Sequence, residues 1–156
     1  MRIAYITNEY GRASDTFIRG EVEQLRALGI TVHTFSPRRP GADEVIGDEV
    51  RRAQQTTDYL LDPGRLRRNV ARMAAGLVRA GLTTPARLAA AIRLALRTAT
   101  PGVRAHVWQG AYLMEAALLV RLMRSHGVQH LHNHMGSASA YVTMLASELK
   151  IGRAHV

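Results

Sequence analysis

Two short apolar runs with a helix-patterned segment between them set the tightest limit on what this chain can fold into. RIAYIT (2–7) is apolar and partly β-branched, as a buried parallel strand requires, and it runs into the polar loop NEYGRASD. DTFIRGEVEQLRALG follows with Ile18, Val22, Leu25 and Leu28 at helical spacing, Ser14 or Asp15 as a first-turn cap, and Gly29 as a stop. ITVHTFSP (30–37) reads as a second strand ended by Pro37. A strand, a helix and a strand in about 35 residues make a βαβ unit, whose crossover should be right-handed.

The remaining pattern extends that unit. RRPGADEVIGDEVRRAQQ is loop and then helix, and TDYLL (57–61) is a short third strand. In LRRNVARMAAGLV, Leu66, Val70, Met73, Leu77 and Val78 are expected to share a buried face, with Arg67, Arg68, Arg72 and Arg79 largely elsewhere. After GLTTP a second helix carries Leu88, Ile92 and Leu96, with Arg93 and Arg97 one turn apart. A third runs from about Val103 to His126, where Gly127 ends it. VQHLHNH (128–134) returns to strand, and GSASAYVTMLASEL begins a helix at its exit. The expected fold is α/β: a Rossmann-like, doubly wound parallel sheet of about four strands, with a helical Arg-rich insertion at 63–126.

Length and composition narrow the class. At 156 residues, 47% hydrophobic and 21% charged, the chain suits one globular domain with a real core. It has no cysteine, so disulfides and thiolate ligands are excluded, and zinc would have to rely on His and carboxylate. With neither a signal-peptide pattern nor an apolar run of about 18 residues, a cytoplasmic location is expected. The net charge of +9 sits in one place. From Pro63 to Met114 there are nine arginines and no acid, and the rest of the chain balances to zero. Three readings stay open for those helices: a solvated face over apolar undersides, contact with an anionic membrane surface, or nucleic acid. The stretch has no aromatic before Trp108 and no helix-turn-helix pattern, so nucleic acid is not expected as a partner.

MRIAYITNEY, SDTFIRGEVEQLRALG, TVHTFSPRR and HLHNHMGSASAYVTMLASEL together resemble the GT-B glycosyltransferases of the group 4 type, in particular those of bacterial exopolysaccharide and colanic-acid-like pathways. The second segment is similar to that family's S-E-T-F-I-x-x-E helix, with Asp15 where Glu is usual, and the last to its H-[IL]-H-x-H strand and helix. The likeness covers nearly all of 1–149 and is weak in the Arg-rich middle. It implies most of the acceptor-binding lobe of a two-lobed, retaining transferase, without the donor lobe and its E-x7-E motif. The implied partners are a nucleotide-sugar donor, held mainly by that other lobe, and a saccharide or lipid-linked acceptor. The implied cofactors are none, and usually no metal. This portion alone is expected to be inactive, with no catalytic residue assigned. The alternative is a non-enzymatic basic α/β binding or adaptor domain at the inner face of a membrane.

In an open α/β sheet, ligands sit beyond the carboxyl ends of the strands. Two loops reach that edge, giving Gly11, Ser14, Asp15, Thr16 and Phe17 from one and His134, Gly136 and Ser137 from the other as candidate acceptor-binding residues. The first loop lacks G-x-G-x-x-G, so no dinucleotide fingerprint is present, but helix-start amides could hold a phosphate or sugar hydroxyls. His130, His132 and His134 alternate and so share one face of a strand. Metal binding is open to them, yet the nearest acids in sequence are Glu115 and Glu148. Packing under helices is the expectation for His130 and His132, and lining of the acceptor cleft for His134.

The chain closes on KIGRAHV, and Lys150 is its only lysine. IGRAHV matches the translation of a common sequencing-adapter oligonucleotide. Residues 150–156 are therefore expected to be a non-native tail, with native sequence ending near Leu149. On that expectation the strand at 128–134 becomes a sheet edge, and the final helix lacks part of what it packs on.

Overall fold

The structure, a computed structural model, describes residues 1–12 and 14–150. The expected tail beyond Lys150 lies outside the described residues. From the N-terminus run β1 (Arg2–Ile6), α1 (Thr16–Ala27), β2 (Thr31–Ser36), a 3₁₀ turn (Ala42–Glu44), α2 (Asp48–Gln55), β3 (Thr57–Tyr59), α3 (Leu66–Thr83), α4 (Pro85–Thr98), α5 (Val103–Ser125), β4 (His130–Asn133) and α6 (Ala138–Lys150). The strands form one all-parallel sheet in the order β3-β2-β1-β4. This is the Rossmann-like α/β arrangement that the alternation of strands and helices predicts.

Glycine ends two helices as expected, because each stop needs a left-handed residue. Gly29 has φ +80° and lets the Ile30 amide reach back to the Leu25 carbonyl at 3.0 Å. Gly127, with φ +65°, lets Val128 do the same to Met123 at 2.8 Å. At the start of α1 the expected cap is replaced by another device. Asp15 occupies the N-cap position, but its carboxylate accepts the Arg12 amide behind it at 3.1 Å, and Ser14 is exposed.

Side chains alternate across the sheet into two cores. Ile3, Tyr5 and Val32 pack with Ile18 and Val22 of α1 on one face. Ala4, Ile6, Phe35 and Leu131 meet α5 and α6 on the other, through Leu119, Met123, Val142 and Leu145 among others. The final helix, α6, packs against α4 and α5.

The Arg-rich helices pack on a face rotated from the one their large residues predict: Met73 is buried and Leu77 and Leu88 lie against the core as expected, but small residues fill most of the contact. The buried positions of α3 are Asn69, Met73, Gly76 and Ala80, and those of α4 are Ala91 and Ala95. Leu66, Val70 and Val78 of the predicted α3 face are exposed, as are Ile92 and Leu96 of α4. Small residues win because they let helix axes come close. A methyl group on Gly76 would stand 2.9 Å from the Ala117 carbonyl carbon of α5. Among the described residues, no helix is long and apolar enough to cross a membrane.

Candidate binding site at the carboxyl edge of the sheet

From β1 the chain continues to β2 on one side, while β4 is added on the other, so the loops leaving β1 and β4 diverge at the carboxyl edge, where open α/β sheets take their ligands. Thr7 (2% exposed), just after β1, and Asn133 (8% exposed), the last residue of β4, are buried at this edge. Asn133 Nδ2 donates to the Met135 carbonyl at 2.7 Å, which fixes the amide, but its Oδ1 has no protein partner. Neither do Thr7 Oγ1 and Asn8 Oδ1. A buried polar atom left unmatched costs about 1–3 kcal/mol, and all three are closed off from solvent, so a ligand would reach them only if the loops around them shift.

The β1 loop at this edge is held firmly. The Ser36 hydroxyl lies within 3.0 Å of the Asn8 carbonyl and accepts the Tyr10 amide at 3.0 Å. Tyr59 Oη donates to the Tyr10 carbonyl, and Gln54 Nε2 to the Gly11 carbonyl. Gly11 is thereby turned toward α2 and β3: a Cβ there would meet Gln54 Cγ at 2.8 Å. Of the residues expected to bind, Gly11 is buried against these neighbours and Asp15 is buried at the start of α1 with its carboxylate on Arg12. Ser14, Thr16, Phe17, Gly136 and Ser137 are exposed. The buried Asp15 carboxylate already lies at the positive end of α1, which disfavours an anionic ligand there and favours neutral hydroxyls.

Phe17 and His134 are brought together across the two loops, with Phe17 61% exposed and its ring edge-on to the imidazole at 6.0 Å. His132 and His134 lie on the α1 face of β4, where the register sets His132 beside Tyr5. Their rings meet edge to face at 4.5 Å. His134 Nε2 stands 3.0 Å from Glu21 Oε2 of α1, close enough for an ion pair but not aligned as a hydrogen bond. Tyr5 Oη donates to the other oxygen, Glu21 Oε1, at 2.6 Å. Burial and the Glu21 carboxylate push the Tyr5 phenol well above its ordinary pKa, so it remains a donor. Burial and the neighbouring His134 lower the pKa of His132, favouring its neutral form. His132 is thus a member of a polar cluster, where packing alone was expected.

Glu21, Tyr5 and Asn133 were not marked by the sequence pattern. Glu21 lies in the exposed-looking half of a helical repeat, and its place beside His134 depends on how α1 is rotated over β4. Glu115 was passed over as a site residue too, though an acid within YLMEAALLV is a visible signal. It is buried on α5, and burial pushes its pKa up to about 7 against the opposing pull of Arg38.

Comparison with protein-family models, with curated proteins and with solved structures finds no match to this chain.

Proposed function

We propose that this chain forms the acceptor-binding lobe of a retaining, nucleotide-sugar-dependent glycosyltransferase of the GT-B group 4 type, acting in cell-surface polysaccharide synthesis. The observation that carries the reading is the carboxyl edge between β1 and β4, where Thr7, Asn8 and Asn133 each leave a polar oxygen unmatched and the exposed Phe17 ring meets His134. Sugars offer what such a site takes: hydroxyl donors for Thr7, Asn8 and Asn133, and an apolar ring face for an aromatic side chain. Transfer needs a second lobe to hold the donor, so catalysis belongs to the two lobes together. Saturation-transfer NMR with a panel of mono- and disaccharides tests the acceptor role. Contacts from a sugar that are lost in Phe17→Ala and Asn133→Ala are expected, and no saturation transfer from any sugar would overturn it. Reading the encoding frame onward is the companion test, since an E-x7-E motif in a following lobe is expected.

A second reading, a basic adaptor domain at an anionic membrane, is favoured by a separate observation. Leu66, Leu82, Val103 and Val107 are exposed among nine arginines in a segment without acids. Basic surfaces with outward apolar side chains suit the headgroup region of anionic bilayers. Membrane contact also fits the first reading, with a lipid-linked acceptor. A frame that stops without a second lobe would favour the adaptor.

A further inference from the structure

We propose that Glu21, His132 and His134 form a binding site for a divalent transition metal, with Zn²⁺ as the ion they fit best. One carboxylate oxygen and two imidazole nitrogens lie within 4.8 Å of one another, half-buried, on two different elements. In a tetrahedral zinc site with bonds of about 2.0–2.1 Å, donor atoms stand roughly 3.3 Å apart. His134 Nε2 and Glu21 Oε2 are already at 3.0 Å, without the alignment that a hydrogen bond would impose. The edge-to-face arrangement of the two imidazoles lets their nitrogens converge on a point, which parallel stacking would prevent.

The surroundings supply what first ligands require. Tyr5 Oη holds the second oxygen of Glu21 at 2.6 Å, leaving Oε2 for the ion, and such outer hydrogen bonds orient a ligating carboxylate. Two nitrogens and one oxygen suit zinc and its neighbours and disfavour Mg²⁺ and Ca²⁺, which take oxygen ligands. Three protein ligands leave a fourth position for water or a ligand oxygen, beside Phe17 at the carboxyl edge of the sheet. The bound ion would join β4 to α1. This role does not depend on sugar transfer. A different histidine group, His33 and His126 with Asp58, provides the control: His126 Nε2 is 2.9 Å from Asp58 Oδ2, and neither residue belongs to the cluster under test.

The test is titration of the metal-free full chain with Co²⁺, followed by its visible absorption, and with Zn²⁺ in competition with a chromophoric chelator. One equivalent is expected to bind, with affinity reduced roughly tenfold or more in Glu21→Gln, His132→Gln and His134→Gln. Tyr5→Phe should weaken binding less, and His126→Gln should leave it unchanged. Imidazole ¹⁵N shifts in the unaltered chain give a readout that no folding defect can imitate: His132 and His134 should move on adding Zn²⁺. Absence of one-equivalent binding, or movement confined to His33 and His126, would overturn the proposal.

Discussion

Glu115 is the residue whose surroundings most plainly oppose its chemistry. Unfolded, it releases its proton near pH 4.5; in the fold, burial delays that to about 7. The folded chain therefore holds more protons between those values. The stability linked to this group is complete below about pH 4.5 and is lost as the pH rises through about 7, a difference on the order of 3 kcal/mol. Glu115→Gln should remove that loss: its melting temperature should exceed that of the parent at pH 8, with the gap closing toward pH 4.5. Thermal melts at the two pH values check this. At this scale the sequence is only partly legible. The approach of His134 to the start of α1 could be anticipated, because it follows β4 at the carboxyl edge of the sheet. Its contact with Glu21 could not, since the two lie far apart in the chain and meet only through the rotation of α1 over β4.

At the scale of elements, the βαβ start, the glycine stops at 29 and 127, and the three insertion helices were all readable, because backbone stereochemistry and periodicity are local. The packing faces of α3 and α4 were only partly so, with Met73, Leu77 and Leu88 against the core but Leu66, Val70, Val78, Ile92 and Leu96 exposed. A hydrophobic pattern ranks Leu and Val above Gly and Ala, whereas close helix packing rewards the reverse. Gly76 makes the point testable. Alanine in place of glycine in a helix gains up to about 1 kcal/mol, but a methyl group here meets three backbone atoms of α5 at 2.9–3.0 Å, which cannot move aside singly. Overpacking of this kind costs about 1–3 kcal/mol, toward the upper end where backbone must shift. Gly76→Ala should therefore lose about 2 kcal/mol net in urea unfolding. A neutral or stabilising result would mean that α3 and α5 are not so close.

At the scale of the whole molecule, the sheet and the insertion each present an uncovered surface. Among the described residues β4 pairs with β1 alone, and its outer edge offers backbone groups to another strand. Concentration-dependent association is the expected result of sedimentation velocity, and a monomer throughout the range would contradict it. The outward apolar side chains of α3 to α5 predict flotation with anionic vesicles at low salt and little with neutral ones. Replacing Leu66, Leu82 and Val103 with serine should reduce that binding while the arginines remain. Flotation that depends on the arginines alone would point to a purely electrostatic surface.

The register that sets His132 beside Tyr5 also fixes an order of events in folding. The β1–α1–β2 unit closes short loops, but β4 must return to β1 past three helices before Ile3 meets His130. Loop-closure entropy and topology make such distant pairing slow relative to local structure. The carboxyl-edge site and the Glu21–His132–His134 cluster are each divided between the first elements and the last strand, so neither exists until that pairing forms. A molecule bound across either one would hold β4 in place, slowing its departure from the sheet and lengthening the lifetime of the folded chain.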